Sequence, residues 1–145
     1  MRIVVQRVKS AKVIIENNEY SAIKHGLLCL VGFCNSDTIV DFEWAIKKLK
    51  KIKIFNNKFS LEDLGLELMI VSQFTLFASV KKGNKPSWSK AAPPELAEKL
   101  YNDFIKTCKS HMLSRVKTGV FGANMEIDLL NDGPLTLIID TKRKE

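Results

Sequence analysis

The chain is short of the residues that usually carry acid–base, redox and metal chemistry. Its two histidines occupy unrelated contexts: His25 precedes Gly26 in a turn, and His111 lies near the end of a helical stretch. Its three cysteines, Cys29, Cys34 and Cys108, are odd in number and form no CxxC pair. That pattern speaks against a disulfide framework, a zinc site and a histidine metal centre, and leaves the thiols as core or half-buried side chains. No metal and no cofactor is expected. No apolar run approaches the roughly 20 residues of a membrane span. The start, "MRIVVQRV", alternates where a signal peptide would be continuously apolar, so a cytoplasmic, soluble protein without membrane contact is expected. Acidic residues are scarce too: 16 against 23 lysines and arginines, a net charge of +7. Such an excess favours a polyanionic partner, because each neutralised phosphate releases counterions.

What is present reads as one domain, 1–145. A chain of 145 residues with 46% hydrophobic content has enough apolar surface to fold without staples. β-Branched, alternating runs predict strands over Ile3 to Val8, Ala11 to Glu16, Leu27 to Phe33, Glu67 to Leu76, Met125 to Leu130 and Leu135 to Asp140, with a turn at Asn17 and Asn18. Two helices stand out. In the first, Asp37 is placed to cap and Ile39, Phe42, Ala45, Ile46 and Leu49 fall at helical spacing. In the second, Pro93 and Pro94 suit a first turn, and Leu96, Leu100, Phe104 and Cys108 repeat every four residues. The order of elements gives an α+β domain with its sheet curled over two main helices.

Two stretches invite a chemical reading. In "IVSQFTLFAS", Ser72, Gln73 and Thr75 put hydroxyls and a carboxamide at the end of an apolar strand. Alternation sets Gln73 and Thr75 on one face and Phe74 and Leu76 on the other. No base adjoins Thr75 in sequence, and a hydroxyl without one is a poor nucleophile. The stretch is either a solvent-facing strand edge or a strand end whose main-chain N–H groups bind an oxyanion. "NDGPLT", Asn131 to Thr136, is an ordinary turn by composition and reads as a hairpin between the last two strands.

The lysines fall into two sets. Lys47, Lys48, Lys50, Lys51 and Lys53 follow a helix and its exit and read as a solvated face. Lys81, Lys82, Lys85 and Lys90 lie in the long loop "VKKGNKPSWSKAA" behind the first motif, where phosphate contact is expected. Trp88 in that loop serves either to stack on an exposed base or to anchor the loop.

Taken together, "MRIVVQRV", "SQFTLFA", "KKGNKPSWSKAAPPELAEKLY", "TGVFGANM" and "NDGPLTLIIDT" resemble the D-aminoacyl-tRNA deacylases, also called D-tyrosyl-tRNA deacylases, over essentially the whole chain. Departures are Leu135 where Val is usual, Val120 where a basic residue is common, Trp88 where Phe is common, and a shortened segment from Asn56 to Leu66. The resemblance implies a curled, mostly antiparallel, barrel-like sheet and a homodimer with active sites at the subunit interface. It implies that Ser72, Gln73, Phe74 and Thr75 form the catalytic strand end, with main-chain groups and the terminal ribose 2′-hydroxyl doing the chemistry. It also implies a cis Gly133–Pro134 bond, inserted into the partner's pocket to exclude L-amino acids while glycine passes, including glycine mischarged on tRNA(Ala). Arg7 is expected to hold that turn across the interface through carbonyls, and Met125 to pack against it. Lys81, Lys82, Lys85 and Trp88 are the expected tRNA contacts. Two alternatives stand beside this reading: a non-catalytic RNA-binding module using the same loop, and a deacylase of altered stereochemical preference.

Overall fold

The computed structural model describes residues 1–112 and 115–144. Its elements are β1 (Arg2–Ile15), β2 (Asn18–Ile23), β3 (Gly26–Gly32), α1 (Ile39–Lys51), α2 (Leu61–Leu64), β4 (Glu67–Ser72), a 3₁₀ turn (Phe74–Phe77), α3 (Pro94–Met112), β5 (Val116–Thr118) and β6 (Glu126–Asp140). Strand order is β2-β1-β3-β4-β5, with β6 also on β1. The three pairings of β1 are antiparallel, whereas β3–β4 and β4–β5 are parallel. Ser21 Oγ of β2 donates to the Thr118 carbonyl of β5 at 2.7 Å, drawing the two ends of that path together, so the curled sheet is nearly closed into a barrel.

Alternation in the strands gives two apolar layers. One face of β1, β3 and β4, with Ile3, Val5, Leu27, Cys29, Val31, Leu68 and Ile70, packs on α1 and α3 through Phe42, Leu49, Leu100 and Phe104. The other face closes on itself around Val8, Ala11, Val13, Leu28, Met69 and Val71. Phe33, Phe42 and Phe104 meet edge to face where the helices cross the sheet.

Several expectations change. The two N-terminal strands are one, because β1 exchanges β3 for β2 along one edge near Lys9 and Ser10 while β6 follows the other edge throughout. The hairpin turn is at Glu16 and Asn17, both at positive φ, and joins β1 to β2. Asp37 does not cap α1. Its buried carboxylate accepts from the Met1 ammonium at 2.5 Å and the Cys34 N–H at 2.8 Å, and the cap passes to Thr38, whose N–H donates to Asp41 at 2.9 Å. Pro94 opens α3, where its missing N–H costs nothing.

The expected hairpin at "NDGPLT" is absent as well. Both halves of β6 pair with β1, with Gln6 opposite Thr136 and Val8 opposite Asn131, so residues 132–135 face Arg7 alone. The stretch is a wide bulge in one continuous strand.

Candidate active site

The polar end of β4 is set by where the sheet stops. The Gln73 N–H donates to the Val31 carbonyl at 2.7 Å, and the next carbonyl on β3's edge, that of Phe33, is taken by the Ala92 N–H at 2.9 Å. With no rung left to join, the chain turns at Gln73 (φ −150°, ψ 83°) and winds into the 3₁₀ turn. The strand therefore ends at Ser72 and not at Leu76. Leu76 N–H reaches the Gln73 carbonyl at 3.3 Å and Ala78 N–H the Thr75 carbonyl at 2.9 Å, which leaves the amides of Phe74 and Thr75 at the open end. Gly32 lies under the turn: a Cβ there would meet the Gln73 carbonyl oxygen at 2.8 Å and Leu76 Cβ at 3.2 Å.

Gln73 and Thr75 remain neighbours by contact, since Gln73 Nε2 donates to Thr75 Oγ1 at 2.5 Å. Ser72, Gln73 and Phe74 line a cavity of about 660 Å³, together with Trp88, Pro94 and the segment from Phe121 to Met125. Thr75 stands beside this cavity and does not line it. Trp88 meets the Phe74 ring edge to face, centroids 5.3 Å apart, and both rings are exposed, so the contact ties the loop to the turn and leaves aromatic surface open.

The lining is largely apolar, with Ser72, Gln73 and Asn124 as its uncharged polar members. Among the described residues no carboxylate, imidazole, ammonium or thiol lines the cavity. Elsewhere in the core, burial pushes the Cys108 thiol up to about 12 and the Cys29 thiol higher still, so neither is a thiolate at neutral pH. Burial likewise raises Tyr101, whose phenol donates to the Ile70 carbonyl at 3.0 Å and braces β4 against α3. No group of three or more metal-ligating side chains occurs among the described residues. The site can offer N–H donors, hydroxyls and carboxamides to a substrate.

Gly133 and Pro134 lie elsewhere in the chain. Their peptide bond is cis, both residues are exposed, and neither lines the cavity. Arg7 does hold this turn, but within its own chain: Nε donates to the Asp132 carbonyl at 3.1 Å and Nη2 to the Gly133 carbonyl at 3.4 Å. The same guanidinium pairs with the Asp132 carboxylate at 2.9 Å and donates to the Ile54 carbonyl. Within the chain the bulge places the turn directly opposite Arg7 on β1, which is why these carbonyls are in its reach; a hold across an interface belongs to the proposed dimer. Met125 lines the cavity and packs beside Val71, and a Cβ on Gly119 would fall 2.5 Å from its sulfur. It directly precedes Glu126, the residue of β6 opposite Ile14, and so stands apart from the Gly133 of its own chain; the turn it is expected to pack against is that of a second copy.

Lys81, Lys82 and Lys85 are exposed and have no acidic partner within ion-pair distance among the described residues. The lysines of α1 and its exit differ: Lys50, a half-buried side chain, pairs with Glu62 at 2.9 Å, and the exposed Lys53 with Asp63 at 2.5 Å. Sequence reasoning missed Phe121, Ala123 and Asn124 in the lining. The signal for them was Gly122, whose φ of +77° makes the tight turn that brings them there.

Comparisons with known proteins agree over the whole chain. The family model described as D-Tyr-tRNA(Tyr) deacylase matches residues 4–140. A D-aminoacyl-tRNA deacylase of Bacteroides thetaiotaomicron is 49% identical, and one of Cytophaga hutchinsonii 46%, covering 100% and 98% of both chains respectively. Among solved structures, that of a c-Myc DNA Unwinding Element Binding Protein is 37% identical with a TM-score of 0.90, covering 97% of this chain and 98% of that one. Another, of a probable eukaryotic D-amino acid tRNA deacylase, shares the fold at a TM-score of 0.83 and 20% identity, covering 95% and 97%. By its family match and its full-length relatives, the chain belongs to the D-Tyr-tRNA(Tyr) deacylase family, hydrolases that act on carboxylic ester bonds.

Proposed function

We propose that this chain hydrolyses the ester of D-aminoacyl-tRNA, releasing D-amino acid and tRNA, and that main-chain groups carry the chemistry. The observation behind the reading is a cavity edged by the open end of the 3₁₀ turn and lined by no titratable side chain. An aminoacyl ester is labile enough that orientation and oxyanion stabilisation supply much of the acceleration. In this scheme the Phe74 and Thr75 amides face the ester oxygen as it gains charge. Water, oriented by the ribose 2′-hydroxyl, attacks the acyl carbon; the ester C–O bond breaks and the 3′-oxygen leaves with a proton. Ser72 and Gln73 order the strand end.

The reading includes a homodimer. β6 pairs only with β1 among the described strands, and Leu130 and Ile138 along it are 57% and 75% exposed, as suits an edge that a second copy covers. The Gly133–Pro134 turn of one protomer then enters the other's cavity, where its carbonyls occupy the space an L side chain needs. Glycine, having no side chain, passes, so glycyl-tRNA(Ala) is a substrate too. Lys81, Lys82 and Lys85 meet the tRNA backbone. The work is proofreading in translation, in the cytoplasm, by a single domain.

The test is hydrolysis of matched D- and L-aminoacyl-tRNA by purified protein, with chelator present and spontaneous decay subtracted. Loss of the D ester alone is expected. Loss of the L ester would overturn the chiral assignment. A second reading, nucleic-acid binding without catalysis, draws on the 37% identity to a DNA unwinding element binding protein and on the lysines without acidic partners; it predicts that both esters survive while tRNA is retained.

A further inference from the structure

We infer that Arg2 is a positioning residue for this reaction, fixing the Phe74–Phe77 turn through the carbonyl of Leu76. The inference rests on the main-chain reading above, since it concerns how the Phe74 and Thr75 amides are kept in place. Arg2 Nη1 donates to the Leu76 carbonyl at 3.0 Å, and the guanidinium carbon lies 4.8 Å from the centroid of the Phe77 ring. Its Nε donates to Asp140 Oδ2 at 2.9 Å, and the other Asp140 oxygen accepts the Lys142 N–H at 2.9 Å. One side chain thus ties the turn to the ends of both β1 and β6.

The need for such a tie follows from the turn itself. It is four residues long, lies beyond the last rung of β4, and short 3₁₀ segments have poor hydrogen-bond geometry. Arg2 stands opposite Gly32 on one side and Asp140 on the other, so its position in the sheet brings the guanidinium to the turn without reaching. Gly32 supplies a floor the turn can rest on, and Arg2 supplies the bond that stops it lifting. A guanidinium is required, because its planar fork serves Leu76 and Asp140 at once while its face covers Phe77; an ammonium is a point charge.

The test measures kcat, KM and Tm on D-aminoacyl-tRNA for Arg2→Met, Arg2→Lys, Asp140→Asn and the double variant Arg2→Met with Asp140→Asn. Arg2→Met is expected to lower kcat about tenfold or more with KM within about twofold, and Arg2→Lys to fall nearly as far, as loss of a charge-assisted hydrogen bond implies. Asp140→Asn should lose less, and the double variant should be no worse than Arg2→Met. If Arg2→Met does not fold, Arg2→Lys carries the same test. A kcat at the wild-type level, or strict additivity in the double variant, overturns the inference. Thr75→Ala, run beside them, reports on the underlying reading: a loss of about a hundredfold there sinks main-chain catalysis and the Arg2 role together. Retained activity in Thr75→Ala alongside a wild-type kcat in the Arg2 variants overturns the Arg2 role alone.

Discussion

β4 and β6 are each interrupted by a short polar stretch, and they resolve it in opposite ways. β4 runs out of partners at Ser72, so its chain leaves the sheet and winds into a turn that edges a cavity. β6 never loses β1, so the four residues 132–135 are pushed outward opposite Arg7 and the strand resumes at Thr136. One interruption edges a cavity and leaves amides at its open end; the other is exposed at Gly133 and Pro134 and turns its Asp132 and Gly133 carbonyls to Arg7. A withdrawn turn needs a floor, here Gly32, whereas a projecting turn needs a brace, here Arg7. Within one chain the two do not meet, and the proposed homodimer is the arrangement that joins them.

The comparison breaks most severely at the floor. Gly32→Ala puts a methyl group 2.8 Å from a backbone oxygen, which cannot rotate away as a side-chain tip can. The turn must shift, and a displacement near an ångström at a positioned site costs about a hundredfold in kcat. Overpacking of this kind also costs about 1–3 kcal/mol of stability. Steady-state kinetics and a thermal melt check both; a kcat close to wild type would show that the turn tolerates being lifted and that its placement is not what matters.

At the brace the expected loss is smaller and of another kind. Arg7→Ala removes the donors to the Asp132 and Gly133 carbonyls and leaves the Asp132 carboxylate without its nearest cation. Hydrogen bonds from a charged donor contribute about 1.5–3 kcal/mol, so selectivity for D over L esters should fall about tenfold or more. The D rate should change less than the ratio. If the D rate collapses while the ratio holds, the turn serves catalysis or assembly and not selection.

Much of this contrast was legible in sequence, and the failures have physical causes. The near-continuous apolar runs of β3 and β4, buried on both faces, and the helical spacing of Phe42, Leu49 and Phe104 marked the core, because unbroken apolar strands and a one-sided helix stripe are what burial leaves in a sequence. β2 escaped notice because "NEYSAI" is largely exposed and carries no β-branched run, and β5 because three residues make no pattern. Asn-Asp-Gly-Pro has the composition of a hairpin, but composition does not say whether the chain reverses; the register of β1 decides that, and it lies more than a hundred residues away in sequence. Ser72 to Phe74 were legible as a polar strand end, because an abrupt change from apolar to polar residues marks where a buried strand leaves the core. Phe121 to Asn124 were not, since their place depends on β5 delivering them to the cavity.

The lysine loop sharpens the contrast by standing outside it. Replacing Lys81, Lys82 and Lys85 together by alanine should raise KM severalfold, leave kcat near wild type and cut the salt dependence of binding by about one charge for each lysine that meets a phosphate. A salt slope equal to wild type would remove these residues from the tRNA interface.

The smallest expected effect is at Thr75, and it separates two chemistries that share one geometry. The hydroxyl accepts from Gln73 at 2.5 Å, stands beside the cavity, and has no base in the cavity lining to take its proton. Without such a base it is a weak nucleophile. Its amide, by contrast, lies at the open end of the turn whatever side chain follows. Thr75→Ala keeps that amide and removes only the hydroxyl, so kcat should stay within about threefold of wild type, the loss coming from a Gln73 carboxamide no longer held. Thr75→Pro removes the N–H while leaving a compact side chain, and main-chain catalysis requires it to be far worse than alanine. The ranking of the two variants matters more than either value: alanine mild and proline severe supports the main-chain donor, whereas equal severity with a normal melt would place the reaction on the hydroxyl.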